Sequence, residues 1–234
     1  MAQKSSSGGM SAIIARLIKS LMVAVLLPLP VGMLAGMLER LELISLSGAT
    51  YREWVVWGFT TYVGFHVLIY QPAPLFQASH RVFATLAAWL FGGQVSSVEG
   101  GKKPKGDAGS QGSTLVAFSP YVVPVYTVLV CAFGWLAGQW ADRKFVDGPI
   151  SFLVGVTMAF HWLMTADDLQ QQRSRWHIET YLLAIGLVFL LTLLLGGMCL
   201  SWAFPEFSFV HALSDGLTQA KAIYRTVVLE LFFR

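Results

Sequence analysis

Six stretches of this chain contain no Asp, Glu, Lys or Arg: residues 20–38, 54–80, 82–98, 108–141, 150–166 and 180–205. A helix needs roughly 20 residues to cross a hydrocarbon layer about 30 Å thick, with about 17 as its lower limit. Most of these stretches meet that length. Only 12% of the 234 residues are charged and 55% are hydrophobic, whereas a soluble domain carries about 25% charged residues. The expectation is an all-α, polytopic membrane helix bundle over residues 20–205, with five or six transmembrane segments. The marginal segment is 82–98, where Gly92, Gly93, Ser96 and Ser97 spoil the final turn. The element at 75–92 therefore counts either as a sixth crossing or as a re-entrant segment.

Residues 1–19 are read as a polar, partly disordered N-terminus that opens with "MAQKSSSGG". Lys4, Arg16 and Lys19 before an apolar run are reminiscent of a secretory signal, yet no small-x-small cleavage site follows before Glu39. An uncleaved first helix is expected, kinked by Pro28 and Pro30. Gly32 and Gly36 share the spacing that lets a second helix approach closely, as do Gly134 and Gly138; Gly92 and Gly93 end the third apolar element. Residues 39–53 form a short amphipathic connector, 96–113 a polar loop, and "DRKFVDGP" a turn before a helix at 150–166.

After Pro205 the pattern changes. At 100° per residue, Val210, Leu213, Leu217, Ala220, Tyr224, Val227 and Leu231 fall on one arc, and Asp215, Thr218, Gln219, Arg225 and Glu230 on the other. Residues 206–234 are thus an amphipathic C-terminal helix, expected on the membrane surface or against the bundle. The net charge is +3 and basic residues occur as short clusters, which argues against a nucleic-acid surface. The expected partners are the lipid bilayer and another membrane protein. Lys and Arg placement leans toward a cytoplasmic N-terminus, in a bacterial cytoplasmic membrane. Cys131 and Cys199 lie inside apolar runs and read as small hydrophobes.

Ionisable residues inside apolar segments are costly and generally face the bundle interior. His66 lies in "YVGFHVLIY" and His161 in "AFHWLMTADD". Met158, His161, Thr165 and Asp168 share one helical face, with Asp167 beside it. Two carboxylates at a helix C-terminus oppose the dipole unless the helix continues through "LQQQR" toward Arg173 and Arg175. The candidate functional cluster is His66, His80, Arg81, His161, Asp167 and Asp168.

The segment "SHRVFATLAAWLFGGQVSSVEGG", followed by "AFSPYVVPVYTVLV" and "GVTMAFHWLMTADDLQQQRSRWH", resembles in order and character the compact bacterial members of the site-2-protease family of intramembrane zinc metalloproteases. The resemblance covers about residues 60–200. It implies a bundle of membrane helices with H-E-x-x-H on one of them, where two histidines a turn apart hold zinc and the glutamate serves as general base. Here those positions read His80, Arg81 and Ala84, with Asp147 of "VDGP" at the place of a third ligand. A guanidinium neither accepts a proton at neutral pH nor tolerates a neighbouring zinc ion. The family's hydrolysis is therefore not expected, and no catalytic residue and no cofactor is assigned.

The expected function is that of a non-catalytic binding or assembly subunit on this scaffold. One alternative is a metal-dependent intramembrane protease or hydrolase with a rearranged zinc site, drawn from His66, His80 and His161 with Asp147 or Asp168, the set His80, His161 and Asp147 among them. The other is a small transporter or proton-coupled component that uses His161, Asp167 and Asp168.

Overall fold

The computed structural model describes residues 7–46, 49–68, 74–79, 81, 82, 85, 121–172 and 177–232. His80, Ala84, Gly92, Gly93 and the 96–113 loop lie outside the described residues. Among the described residues are seven helices: α1 (Ser7–Leu26), α2 (Pro28–Glu42), α3 (Tyr51–Leu68), α4 (Val125–Trp140), α5 (Arg143–Gln172), α6 (Ile178–Ala203) and α7 (Phe209–Phe232). The all-α expectation holds. One small exception is an antiparallel pair, β1 (Ser45–Leu46) and β2 (Ala49–Thr50), which sits inside the connector read as amphipathic.

Among the described residues, three helical spans are long and apolar enough to cross a membrane: Arg16–Glu42, Arg143–Gln171 and Ile178–Ala203. The first joins α1 to α2 through Leu27, whose amide still donates to Val23 O at 2.9 Å. Pro28 and Pro30 punctuate that junction without ending the helical path, because proline at the first turn has no intrahelical N–H to lose. α1 itself begins at Ser7, within the stretch read as the polar N-terminus. α4 is apolar but shorter, at 16 residues.

α5 is the central element, and its start differs from expectation. The turn expected at "DRKFVDGP" is the first part of a continuous helix of 30 residues with Pro149 inside it. Pro149 is exposed and lies seven residues into the helix, so the backbone bond it forgoes is near the N-terminal end, where solvent can take the place of the lost donor. α3 runs parallel to α5, with Tyr51 beside Asp147 and His66 beside Asp167. α4 and α6 run antiparallel to it: Thr127 meets Thr157, Gly134 abuts Ile150, and Gly196 abuts Met158. The main apolar core gathers Met37, Tyr51, Cys131, Val154, Leu200 and Phe204 around α5. A second cluster of Tyr62, Phe76, Phe160 and Met164 fills the other end.

Close helix approach depends on glycine at two crossings. A Cβ on Gly58 of α3 would strike the Phe152 carbonyl of α5, and one on Gly155 would strike the Val55 carbonyl. At the second crossing, Gly32 and Gly36 of α2 face Ala220 and Gly216 of α7. The C-terminal helix therefore lies against the bundle, antiparallel to α2. Its buried stripe is Ala212, Gly216 and Ala220, whereas Val210 and Leu217, at 73% and 51% exposure, point outward. The apolar arc read from sequence therefore overlaps the packing face only in part: Ala220, Leu213 and Tyr224 reach the bundle, whereas Val210, Leu217 and Val227 do not.

Candidate functional site

Asp147, Ser151, Val154, Met158, His161, Thr165 and Asp168 follow one another along α5 at alternating intervals of four and three residues. That spacing keeps them on a single face. The face is the buried one: Asp147 is 4% exposed, His161 6%, and Ser151 and Thr165 are both at 0%. At 1.5 Å per residue, Asp147 and Asp168 stand about 31 Å apart, close to the thickness of a hydrocarbon layer.

At the Asp147 end, the Tyr51 hydroxyl donates to Oδ2 at 2.6 Å. Arg143 Nη1 lies 3.9 Å from Oδ1, one turn earlier on the same helix. The same guanidinium donates to the Ala203 carbonyl at 3.2 Å, which ties the C-terminus of α6 to the start of α5. Tyr51 also packs on Phe204, with ring centroids 5.0 Å apart. The buried carboxylate thus has a phenol on one oxygen and a more distant cation on the other.

At the opposite end two adjacent carboxylates serve two neighbours. Tyr121 donates its hydroxyl to Asp168 Oδ2 at 2.5 Å, and the Tyr121 carbonyl lies 3.0 Å from His161 Nε2. A carbonyl only accepts, so Nε2 carries the hydrogen and further protonation of His161 falls on Nδ1. Asp167 faces α3, where its Oδ2 is 3.3 Å from His66 Nε2, and Tyr62 Oη lies 3.4 Å from His66 Nδ1. The break before α4 at Val123 and Pro124 exposes backbone carbonyls to side chains: Val122 O accepts from Thr192 Oγ1 of α6 at 3.0 Å.

The predicted polar cluster is therefore partly assembled. His66 with Asp167, and His161 with Asp168 through Tyr121, share one end. Arg81 is exposed, and its carbonyl accepts from Thr85 Oγ1 at 2.8 Å. The metal set of His80, His161 and Asp147 is corrected: Asp147 and His161 are fourteen residues apart on one helix, about 21 Å. Zinc bonds of about 2 Å cannot bridge that. Among the described residues no three His, Cys, Asp or Glu side chains converge on a metal position. Gly134 and Gly138 pack on Ile150 and Arg143, as small residues at a helix contact should.

Sequence reasoning missed Tyr51, Tyr121, Arg143 and Ser151. The signal for Ser151 and Asp147 was present, since continuing the face from Met158 back through Val154 reaches both; the boundary drawn at Pro149 excluded Asp147, whereas Ser151 lay within the expected helix and was not followed. Besides this face, an apolar groove of about 560 Å³ runs between α3 and α4, lined by Tyr62, Phe65, Leu75, Tyr126, Val156 and Phe160. No protein-family model, no curated protein and no solved structure matches the chain.

Proposed function

We propose that this chain is a multi-pass membrane protein that handles protons, acting as a small transporter or proton-coupled component whose working helix is α5. The observation that carries the proposal is the buried face of α5. It holds a carboxylate at each end, a histidine at the inner edge of one end, and two hydroxyls, Ser151 Oγ and Thr165 Oγ1, with no hydrogen-bond partner among the described residues. Ionisable residues in such positions are the material of proton relays.

Five crossings by α1–α2, α3, α4, α5 and α6 form part of the proposal. α3 ends and α4 begins at the same end of α5, as His66 with Asp167 and Tyr121 with Asp168 establish. A single crossing between them would put those ends on opposite sides, so this supports the re-entrant reading of 75–92 over the spanning one. With the N-terminus on the cytoplasmic side of a bacterial membrane, His161 and Asp168 lie at that side and Asp147 at the other. The site-2-protease likeness enters as one of architecture alone, because Arg81 occupies the place of the general base.

In proteoliposomes carrying a pH gradient and a pH-sensitive dye, the wild type should pass protons faster than empty vesicles. His161→Ala and Asp168→Asn should each remove that excess without lowering the amount of reconstituted protein. Wild-type flux in both variants would sink the proposal.

A second reading, a binding or assembly subunit, rests on the groove between α3 and α4. Its surface is apolar, which suits a transmembrane helix of another membrane protein. Photo-crosslinking from Phe65 and Leu75 should then recover one specific membrane protein, and recovery of lipid alone counts against it.

A further inference from the structure

The seven positions of the α5 face divide into three groups. Asp147 and Ser151 form the first, Val154 and Met158 the second, and His161, Thr165 and Asp168 the third. Thr157, just off this face, shows what a satisfied hydroxyl looks like here: it donates to Leu153 O at 2.9 Å and receives Thr127 at 3.1 Å. Ser151 and Thr165 are fully buried and lack such partners among the described residues. Leaving a buried hydroxyl unmatched is costly, and such groups are ordinarily completed by ordered water where protein does not suffice. Each lies about one turn inward from a carboxylate, so each is within a short chain of waters from one end of α5.

We infer that water reaches Ser151 from the Asp147 end and Thr165 from the Asp168 end, and that Val154 and Met158 separate the two wet segments as a gate for protons. The inference rests on the proton-handling reading above and adds the path and its closure. The passenger is a proton carried by water. A hydroxyl that accepts it on a lone pair releases its own hydrogen onward, so Ser151 and Thr165 return to their starting state. His161 takes the proton on Nδ1 while Nε2 stays bonded to the Tyr121 carbonyl. No oxidant, metal or cofactor is consumed.

The gate spans the ten residues from Ser151 to His161, about 15 Å of helix. Val154 and Met158 are both buried. Gly196 of α6 faces the Met158 methyl, where an added Cβ would stand 3.1 Å from Cε. Glycine at that position leaves the space that the Met158 methyl fills, and an unbranched thioether is the more adaptable of the two gate side chains. Tyr51 of α3 and Arg143 of α5 face Asp147, and Tyr121, ahead of α4, faces His161 and Asp168. Asp167, with His66 and Tyr62 of α3, flanks the same end, and Thr192 of α6 reaches Val122 beside it.

The test uses the full chain in sealed vesicles of known orientation, with Cys131→Ser and Cys199→Ser as background and a single Ser151→Cys, Val154→Cys or Thr165→Cys. Silver ion, a thiol probe small enough for a water path, is added to one side at a time, and remaining thiol is counted afterwards by alkylation of denatured protein. Ser151→Cys should react at least about tenfold faster from the Asp147 side, Thr165→Cys at least about tenfold faster from the other side, and Val154→Cys slowly from both. Equal, slow reaction of all three overturns the inference. Independently, Val154→Ser with Met158→Ser should raise proton flux by at least about tenfold, and Asp147→Asn in that background should reverse the rise. Inserted, monodisperse variants that leak no more than wild type also overturn it. If the wild type is stripped from membranes by alkaline carbonate, the membrane reading itself falls; if it stays and the cysteines do not discriminate, only the gated path falls.

Discussion

Gly36 of α2 and Gly216 of α7 bring their helices into backbone contact: a Cβ on Gly36 would collide with the Gly216 amide, and one on Gly216 would lie 2.9 Å from Met33 Cα. The contact is flanked by an ion pair between Arg40 and Asp215 and by a hydrogen bond from the Tyr224 hydroxyl to Val25 O. Substituting leucine at either glycine forces rigid backbones apart, and overpacking of this kind costs about 1–3 kcal/mol. Gly36→Leu and Gly216→Leu should each lower the melting temperature in detergent and expose α7 to protease. Wild-type melting and protease resistance in both would show that α7 packs elsewhere.

Within α3, two glycines should respond in opposite directions. Gly58 is pressed on the Phe152 carbonyl, whereas a Cβ on Gly64 would meet nothing within 4 Å. Gly58→Ala should destabilise by about 1–3 kcal/mol through the clash. Gly64→Ala should stabilise by about 0.5–1 kcal/mol, because alanine loses less backbone freedom in a helix. Thermal denaturation of the two variants side by side checks the register of α3 on α5, and shifts of the same sign would refute it.

These crossings show what the sequence carried and what it did not. Gly32 and Gly36 were legible as a packing pair, but hydropathy does not identify their whole partner face, because Ala212 and Gly216, beside Ala220 on the buried stripe, contribute little to an apolar arc. That is why the arc through Val210 and Leu217 seemed the natural face. His161, Thr165 and Asp168 were legible as one face because no helix breaker interrupts them. Asp147 was lost from that face to a local rule about Pro149, although the helix begins at Arg143 and runs through it. The bonds that complete the site come from Tyr51 and Tyr121, at separations of 96 and 47 residues from their carboxylates. No window along the chain contains such a pairing.

Tyr51 and Asp147 should be energetically coupled. Tyr51→Phe leaves a nearly buried carboxylate without its O–H donor, which costs about 1–3 kcal/mol. Asp147→Asn alone also disturbs the pair, but the double variant should be less damaged than the sum of the two. A coupling of about 0.5–3 kcal/mol is expected for residues in direct contact. Chemical denaturation of the two single variants and the double variant measures it, and strict additivity would mean that the phenol and the carboxylate do not meet.

Thr192 and Thr165 offer the sharpest contrast, since both are at 0% exposure and both differ from valine by one hydroxyl. Thr192 donates to the Val122 carbonyl at 3.0 Å, so Thr192→Val leaves that acceptor short and should cost about 0.6 kcal/mol, the average for interhelical hydrogen bonds in a membrane bundle. Thr165 has no partner among the described residues. Exchange of its hydroxyl for a methyl breaks no hydrogen bond to a described residue and keeps nearly the same volume, so stability should stay level or rise. Proton flux should nonetheless fall, because the same hydroxyl stands between Asp168 and His161 on the wet segment at that end. The two readouts therefore separate for Thr165→Val and do not for Thr192→Val. If Thr165→Val loses stability as Thr192→Val does and leaves flux unchanged, then Thr165 is a bonded structural residue and the path along α5 does not run through it.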